Sequence, residues 1–350
     1  MGGAFRKFWI AIAASGMLAL LGVCAFYWYL MSWAERPLAG EALTSVDGGA
    51  QPRGYVVQLN PGESLATLAM QLEQQGLLDG RHRLVLLGRL SGLDTQLQAG
   101  EYLLEPQLTP RLLLRKLAQG DVVTYEFRID EGSTVAMMLE ALAAQEPLVH
   151  GIQATDAAAL HAELNLGEPF AEGMFFPDTY QYRRGDLDRD LLLRAHKAMQ
   201  RLLAATWQAR ADNLQITSPE EALILASIIE KESGLATDRA MISQVFHNRL
   251  AERMLLQTDP TVIYALGSAF DGNLTRAHLK IDSPFNTYRY RGLPPTPIAL
   301  PSAAALHAAV HPAPGDYFYF VAKGDGSSQF SRTLAEHNRA VRKYQLGEEI

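Results

Sequence analysis

Apolar and polar positions change rhythm three times along the chain. Residues 8–33 are almost uninterrupted apolar sequence, with Arg6 and Lys7 before them and Glu35 and Arg36 after them. About 20 such residues cross the hydrocarbon core of a bilayer, so the run predicts a membrane-spanning helix. Trp9, Trp28, Tyr29 and Trp33 stand near its two ends, where interfacial aromatics collect. The leading basic pair predicts a cytoplasmic segment 1–7 and an exported remainder. A cleaved signal peptide fits less well, because the apolar run is too long and no Ala-x-Ala exit follows it. Residues 34–54, rich in small and turn-forming types without periodicity, predict a linker.

From residue 55 the pattern becomes that of a folded module, 55–121. Tyr55 to Leu59 alternates like a strand, and Pro61-Gly62 makes a turn. Leu65, Leu68, Ala69 and Leu72 then recur at helical spacing behind Ser64, closing at Gly76. Residues 81–90 predict a second helix and 101–104 a short strand, and Thr109-Pro110 opens a helix that stops at Gly120.

A second domain, 122–350, begins with a strand over 122–129, a turn at Glu131-Gly132 and a helix capped by Ser133. Residues 172–180 form an aromatic-rich loop, either a sugar-stacking surface or satellite core. Residues 188–207 predict a long helix. Tyr317 to Ala322 and Ser328 to Phe330 flank Gly324-Asp325-Gly326 as a hairpin, and a helix over 332–344 ends the pattern.

The helix that begins at Ser218 carries the chemistry. Ser218, Pro219 and Glu221 supply a cap, a first-turn proline and a capping-box carboxylate. At 100° per residue, Ile224, Leu225, Ile228 and Ile229 gather on one side. Glu232 continues that stripe, whereas Glu230 projects nearly opposite. A carboxyl on an apolar stripe is desolvated, which raises its pKa and suits it to general acid work. Alternatively Glu232 reaches water at a frayed helix end. Downstream, Asn248 and Arg249 are polar groups beside a core face. Gln257, Thr258 and Asp259 can present amide, hydroxyl and carboxylate to a ligand, and Asp259 before Pro260 equally suits a helix N-cap.

Composition narrows the functional classes. A formal net charge of −7, with no basic face evident, argues against a general nucleic-acid binder. The single cysteine, Cys24, lies in the apolar run, so no internal disulfide forms. His307 and His311 stand four apart, but Pro312 follows at once without an acidic third ligand, and neither a metal site nor a cofactor is expected.

Glu230-Lys231-Glu232-Ser233, Arg239, Val245 to Leu250 and Leu256 to Tyr264, followed by Tyr288, Gly292-Leu293-Pro294-Pro295, His311-Pro312, Tyr319-Phe320-Val321 and His337-Asn338, resemble the endolytic murein transglycosylases, the MltG/YceG-like family. The resemblance implies an α+β chain: an N-terminal transmembrane helix, a small LysM-like module, and a mixed catalytic domain with a lysozyme-like catalytic helix. Met174 and Phe176 stand where the family often has tryptophans. The resemblance implies cleavage of the MurNAc-β-1,4-GlcNAc bond within peptidoglycan strands, with Glu232 as the catalytic acid and base and 1,6-anhydroMurNAc ends as product. It also implies termination of nascent strand elongation, peptidoglycan synthases as partners, and an inner-membrane location with periplasmic C-terminal domains. The substrate contacts expected are Glu230, Ser233, Asn248, Arg249, Gln257, Thr258, Asp259, Tyr264, Asn286 and Tyr288. A hydrolytic two-carboxylate muramidase, using Glu230 or Asp259 as well, and a non-enzymatic peptidoglycan-binding scaffold are the alternatives.

Overall fold

The structure, a computed structural model, describes residues 2–38, 54–232 and 234–347. The chain forms two compact units, Met1–Tyr125 and Glu126–Ile350. Its class is mixed α+β, and the strands described form three separate two-stranded sheets.

In the first unit the elements are α1 (Gly2–Ala34), β1 (Tyr55–Leu59), α2 (Leu65–Gln74), α3 (Arg81–Ser91), β2 (Gly100–Leu104) and α4 (Pro110–Gln119). β1 pairs antiparallel with β2, Tyr55 opposite Leu104 and Leu59 opposite Gly100. The caps lie where the sequence put them. Ser64 accepts from the Thr67 amide and Thr109 from the Leu112 amide, each worth about 1 kcal/mol. Gly120 ends α4 at φ 66°, a left-handed conformation that a Cβ would strain. Leu59, Leu68, Leu72, Leu84, Tyr102 and Leu113 fill the core between sheet and helices.

The last turn of α1 belongs to that core. Leu30 and Ala34 are fully buried and Trp33 nearly so, whereas Trp28 is 73% exposed. The Trp33 indole donates to the Asp79 carbonyl (3.1 Å). The Arg83 guanidinium lies 4.9 Å over the Trp33 ring and donates to the Tyr29 hydroxyl. Arg111 pairs with Glu35 at 2.9 Å, and the Leu38 amide donates to the Leu108 carbonyl. The linker expected over 34–54 is therefore corrected at its start: Ala34 and Leu38 are packed core, because Leu30, Trp33 and Ala34 find apolar partners on α3 and α4. The rest of that expected linker, 39–53, lies outside the described residues. Residues 8–29 remain outward-facing, ~33 Å of helix at 1.5 Å per residue, enough for a bilayer core.

The second unit contains β3 (Tyr125–Arg128, whose first residue closes the first unit), α5 (Val135–Ala143), α6 (Ala157–Leu164), β4 (Thr179–Tyr182), α7 (Asp188–Gln208), α8 (Pro219–Glu232), α9 (Arg239–Ala251), α10 (Asp259–Leu266), α11 (Ala303–Val310), β5 (Tyr319–Ala322), β6 (Ser328–Ser331) and α12 (Leu334–Gln345). β3 pairs with β4, and β5 pairs antiparallel with β6. Helix α8 runs through the core, packed by α7, α9, α10 and α11. α12 packs on the β5–β6 hairpin.

Two sequence expectations change here. Thr134, not Ser133, caps α5, accepting from the Met137 amide; the Ser133 hydroxyl instead donates to the Asp130 carbonyl and closes the turn before it. In the 172–180 loop Met174 and Phe175 are buried, and Phe176 packs against the same core. Met174 and Phe175 are thus satellite core, whereas Phe176 is only partly buried.

Candidate active site

The start of α8 is built as its sequence suggests. The Ser218 hydroxyl accepts from the Glu221 amide (3.2 Å), and the Glu221 carboxylate reaches back to the Thr217 amide (2.6 Å). The one-sided stripe, however, is not what the structure shows. Every residue from Ala222 to Ile229 is buried, so the helix is apolar all round. Ser227 fits this because its hydroxyl donates to the Ile224 carbonyl and accepts from the Ile298 amide.

Burial therefore does not separate the two carboxylates; their partners do. The Glu230 side chain is 7% exposed and meets the Arg239 guanidinium at 3.2 Å. It also accepts from the Ser302 amide (2.9 Å) and the Ser302 hydroxyl, the cap of α11. A carboxylate paired with a cation and two further donors stays put: Glu230 ties α8 to α9 and α11. Expected as a substrate contact, it is a structural ion-pair member. Glu232, one turn end away, has far less. One oxygen accepts from the Thr258 hydroxyl, and among the described residues no cation forms an ion pair with it. Burial pushes its carboxyl up to about 7; the Thr258 hydrogen bond opposes this, the Asp259 charge adds to it, and Arg249 partly offsets it.

Glu232 opens on a cleft of about 520 Å³ shared with Arg249, Gln257, Asp259 and Tyr288. Arg249 is nearly buried: it donates to the Phe318 carbonyl (2.7 Å) and the Leu256 carbonyl (2.6 Å), and its guanidinium lies 5.3 Å over the Tyr319 ring. The 257–258 turn is held by Thr287, whose carbonyl receives the Gln257 amide and whose hydroxyl receives the Thr258 amide. Gln257 takes φ 48° there. Thr258 caps α10, so Asp259 is its first helical residue and not the N-cap, and its carboxylate accepts from the Tyr288 hydroxyl at 2.5 Å.

The remaining expected contacts lie elsewhere. Asn286 is fully buried; its amide donates to the Leu279 and Ile281 carbonyls and its oxygen accepts from the Tyr288 amide, so it shapes the turn that presents Tyr288. Asn248 donates to the Tyr317 carbonyl (2.9 Å) and lines a different groove with Gln244 and Pro312. Tyr264 donates to Glu172 (3.0 Å) in a separate cavity of about 770 Å³. Ser233 lies outside the described residues. His307 and His311 stack ring on ring, and His311 lies against the His307 and Ala209 carbonyls.

The profile of the YceG-like family matches residues 57–343. The chain belongs to the YceG-like family. It is similar to the endolytic murein transglycosylase of Bacillus subtilis strain 168, 30% identical over 306 residues that cover 82% of this chain and 84% of that one. The endolytic murein transglycosylase of Streptococcus pneumoniae serotype 2 strain D39 is 28% identical over 341 residues, covering 87% of this chain and 60% of its own length. Among solved structures, a YceG-like protein of Listeria monocytogenes superposes with a TM-score of 0.52 at 28% identity, over 81% of this chain and 98% of that one.

In this YceG-like chain, sequence reasoning missed one wall of the cleft. Tyr319 and Ser328 of the hairpin and Leu334, His337, Val341 and Gln345 of α12 line it. The signal was present in the last four positions, which recur at helical spacing, but nothing local says what such a face covers.

Glu172 is a second protonatable carboxyl, outside the cleft. It is buried, accepts from the Val135 amide at the start of α5 and from the Tyr264 hydroxyl, and burial pushes it up to about 7 against those hydrogen bonds. Its folded-state value lies above the unfolded one near 4.3. Its stabilising contribution is therefore complete below about pH 4 and is lost as pH rises towards 7. Glu172→Gln should flatten the fall in melting temperature between pH 5 and 8, as followed by thermal denaturation in matched buffers.

Proposed function

We propose that this chain is an endolytic lytic transglycosylase, a lyase that cleaves the MurNAc-β-1,4-GlcNAc bond inside peptidoglycan strands and leaves 1,6-anhydroMurNAc ends. The name shared by the Bacillus and Streptococcus relatives supports the reaction class. The observation that carries the reading is Glu232 itself: a desolvated carboxyl, steadied by one hydroxyl, opening on a cleft beside Asp259 and Arg249.

Glu232, protonated, gives its proton to the glycosidic oxygen as the bond from C1 to that oxygen breaks. The resulting carboxylate takes the proton of the muramic acid C6 hydroxyl while O6 bonds to C1. The proton returns to Glu232, and no water is consumed. A group that titrates near 7 serves both steps, since neither protonation state is costly to reach. In this reading the Asp259 carboxylate, which lines the same cleft, stabilises positive charge developing at the sugar ring. Asp259 also supports the second reading, a two-carboxylate hydrolase, because such enzymes place a second acid in the same cleft. Mass spectrometry of strands digested by the purified protein separates them: anhydro ends support transglycosylation, reducing ends support hydrolysis, and uncut strands support the scaffold.

In the same reading α8 is the lysozyme-like catalytic helix, and the β1-α2-α3-β2 unit is a LysM-like module binding N-acetylglucosamine. α1 anchors the chain in the inner membrane with the β1-α2-α3-β2 module and the second unit in the periplasm, placing it beside peptidoglycan synthases to terminate nascent strands. A reporter fused after Gly54 should be exported and should stay with membranes after a carbonate wash; a cytoplasmic signal would sink the topology.

A further inference from the structure

The mechanism above leaves one wall of the cleft without a task. Leu334, His337, Val341 and Gln345 are spaced three, four and four apart, so they form one face of α12, and all four line the cleft that contains Glu232. That face is half open to solvent: Leu334 is 55% exposed and Gln345 exposed, while His337 and Val341 between them are half-buried.

His337 sits at the centre of this face with its hydrogen bonding incomplete. Its ring stacks on Tyr319 at 5.3 Å and 25°, and the other occupant of the Tyr319 ring is the Arg249 guanidinium. Nδ1 is sealed from solvent without a partner. No group among the described residues pairs with Nε2, the ring nitrogen that is not sealed. Burial, with the Arg249 charge, lowers the His337 pKa, so the imidazole is neutral at pH 7 and carries a single N–H. A sealed N–H without an acceptor is disfavoured more strongly than an unmet lone pair. The tautomer this selects has a bare Nδ1 and an Nε2–H that faces the cleft. Around that donor the wall is aliphatic, Leu334 on one side and Val341 on the other.

A donor set between two aliphatic side chains fits a ligand group that has an acceptor oxygen next to a methyl. On a peptidoglycan strand that group is the acetamido substituent. We propose that the α12 face reads the N-acetyl group of a bound sugar: His337 Nε2–H donates to the acetamido carbonyl, and the acetyl methyl packs on the aliphatic surface beside it, with Val341 one helical turn away. His337 is thus a substrate-binding residue that makes the cleft selective for N-acetylated over N-deacetylated glycan. The inference rests on the glycan-cleaving reading, and its test does not require turnover.

The test uses the full-length Glu232→Gln protein, which should bind without cutting, and two probes: uncrosslinked glycan strands, and the same strands after chemical N-deacetylation. Dissociation constants are measured for both, with and without His337→Ala. The expectation is that deacetylation weakens binding about tenfold, the range of one well-made hydrogen bond with its apolar contact. His337→Ala should weaken binding to acetylated strands by a similar factor and bind deacetylated strands no worse than its parent does. His337→Asn, which keeps a side-chain N–H, should recover part of the loss, and it replaces the alanine variant if that one melts early. In the otherwise wild-type chain the same change should raise KM and leave kcat within about twofold. Equal losses on both probes, or no loss on either, would overturn the proposal. If the wild type cuts neither probe while the binding pattern holds, the activity reading fails and the acetamido site stands.

Discussion

Glu232→Gln should lower turnover by at least the 10²–10⁴-fold that general acid–base catalysis typically contributes, with glycan affinity retained. Glutamine keeps the shape and the acceptor oxygen that the Thr258 hydroxyl meets, but has no proton to give. The pH profile makes the prediction specific. The acid must start protonated, so kcat/KM of the wild type should fall as pH rises through about 7, the position to which burial pushes this carboxyl. That limb should be missing from the residual activity of Glu232→Gln. Because the Asp259 charge helps to raise the pKa, Asp259→Asn should shift the limb towards acid. An unchanged profile in Glu232→Gln would remove it as the acid.

Glu230→Ala should be a stability variant instead. Removing one partner of a buried ion pair strands the other, at a typical cost of about 3–5 kcal/mol. Here the stranded groups are the Arg239 guanidinium and the Ser302 amide and hydroxyl, which hold α9 and α11 against α8. For a unit of this size such a loss lowers the melting temperature by roughly 10 °C. Below that melting point the activity per folded molecule should stay within a few-fold of wild type. A thermally stable but inactive Glu230→Ala protein would instead put Glu230 in the chemistry.

These two neighbours show what can and cannot be read along a chain. Periodicity and caps are local, so the ends of α2 at Ser64 and of α4 at Thr109 and Gly120 were legible, and so was the hairpin around Gly324-Asp325-Gly326. Glu232 was legible as a desolvated carboxyl, although not through a one-sided stripe, since α8 is buried all round from Ala222 to Ile229. The equal burial of Glu230 was not, because its partners Arg239 and Ser302 come from other elements, one of them 72 positions away. The partners of Asn248 and Tyr264, a carbonyl 69 positions away and a carboxylate 92 positions away, were hidden in the same way, whereas Asn286 is held by the nearby Leu279 and Ile281 carbonyls of its own turn. The α12 wall was hidden by distance as well, since its face reaches the cleft only once the hairpin has folded.

The docked end of α1 sets a limit on reach. Leu38 leaves on a hydrogen bond to Leu108, and the chain re-enters at Gly54, whose backbone lies so close to the Leu104 carbonyl that an added Cβ would come within 2.7 Å of it. Both ends of the 39–53 segment are thus moored to the same unit that holds Trp33. Inserting residues between these two points would leave both moorings in place, so it would not lift the module away from the end of its helix. In an anchored chain the stand-off of the module from the bilayer is then set by a rigid fitting, as with a lamp screwed to its bracket, and not by the slack of a cord.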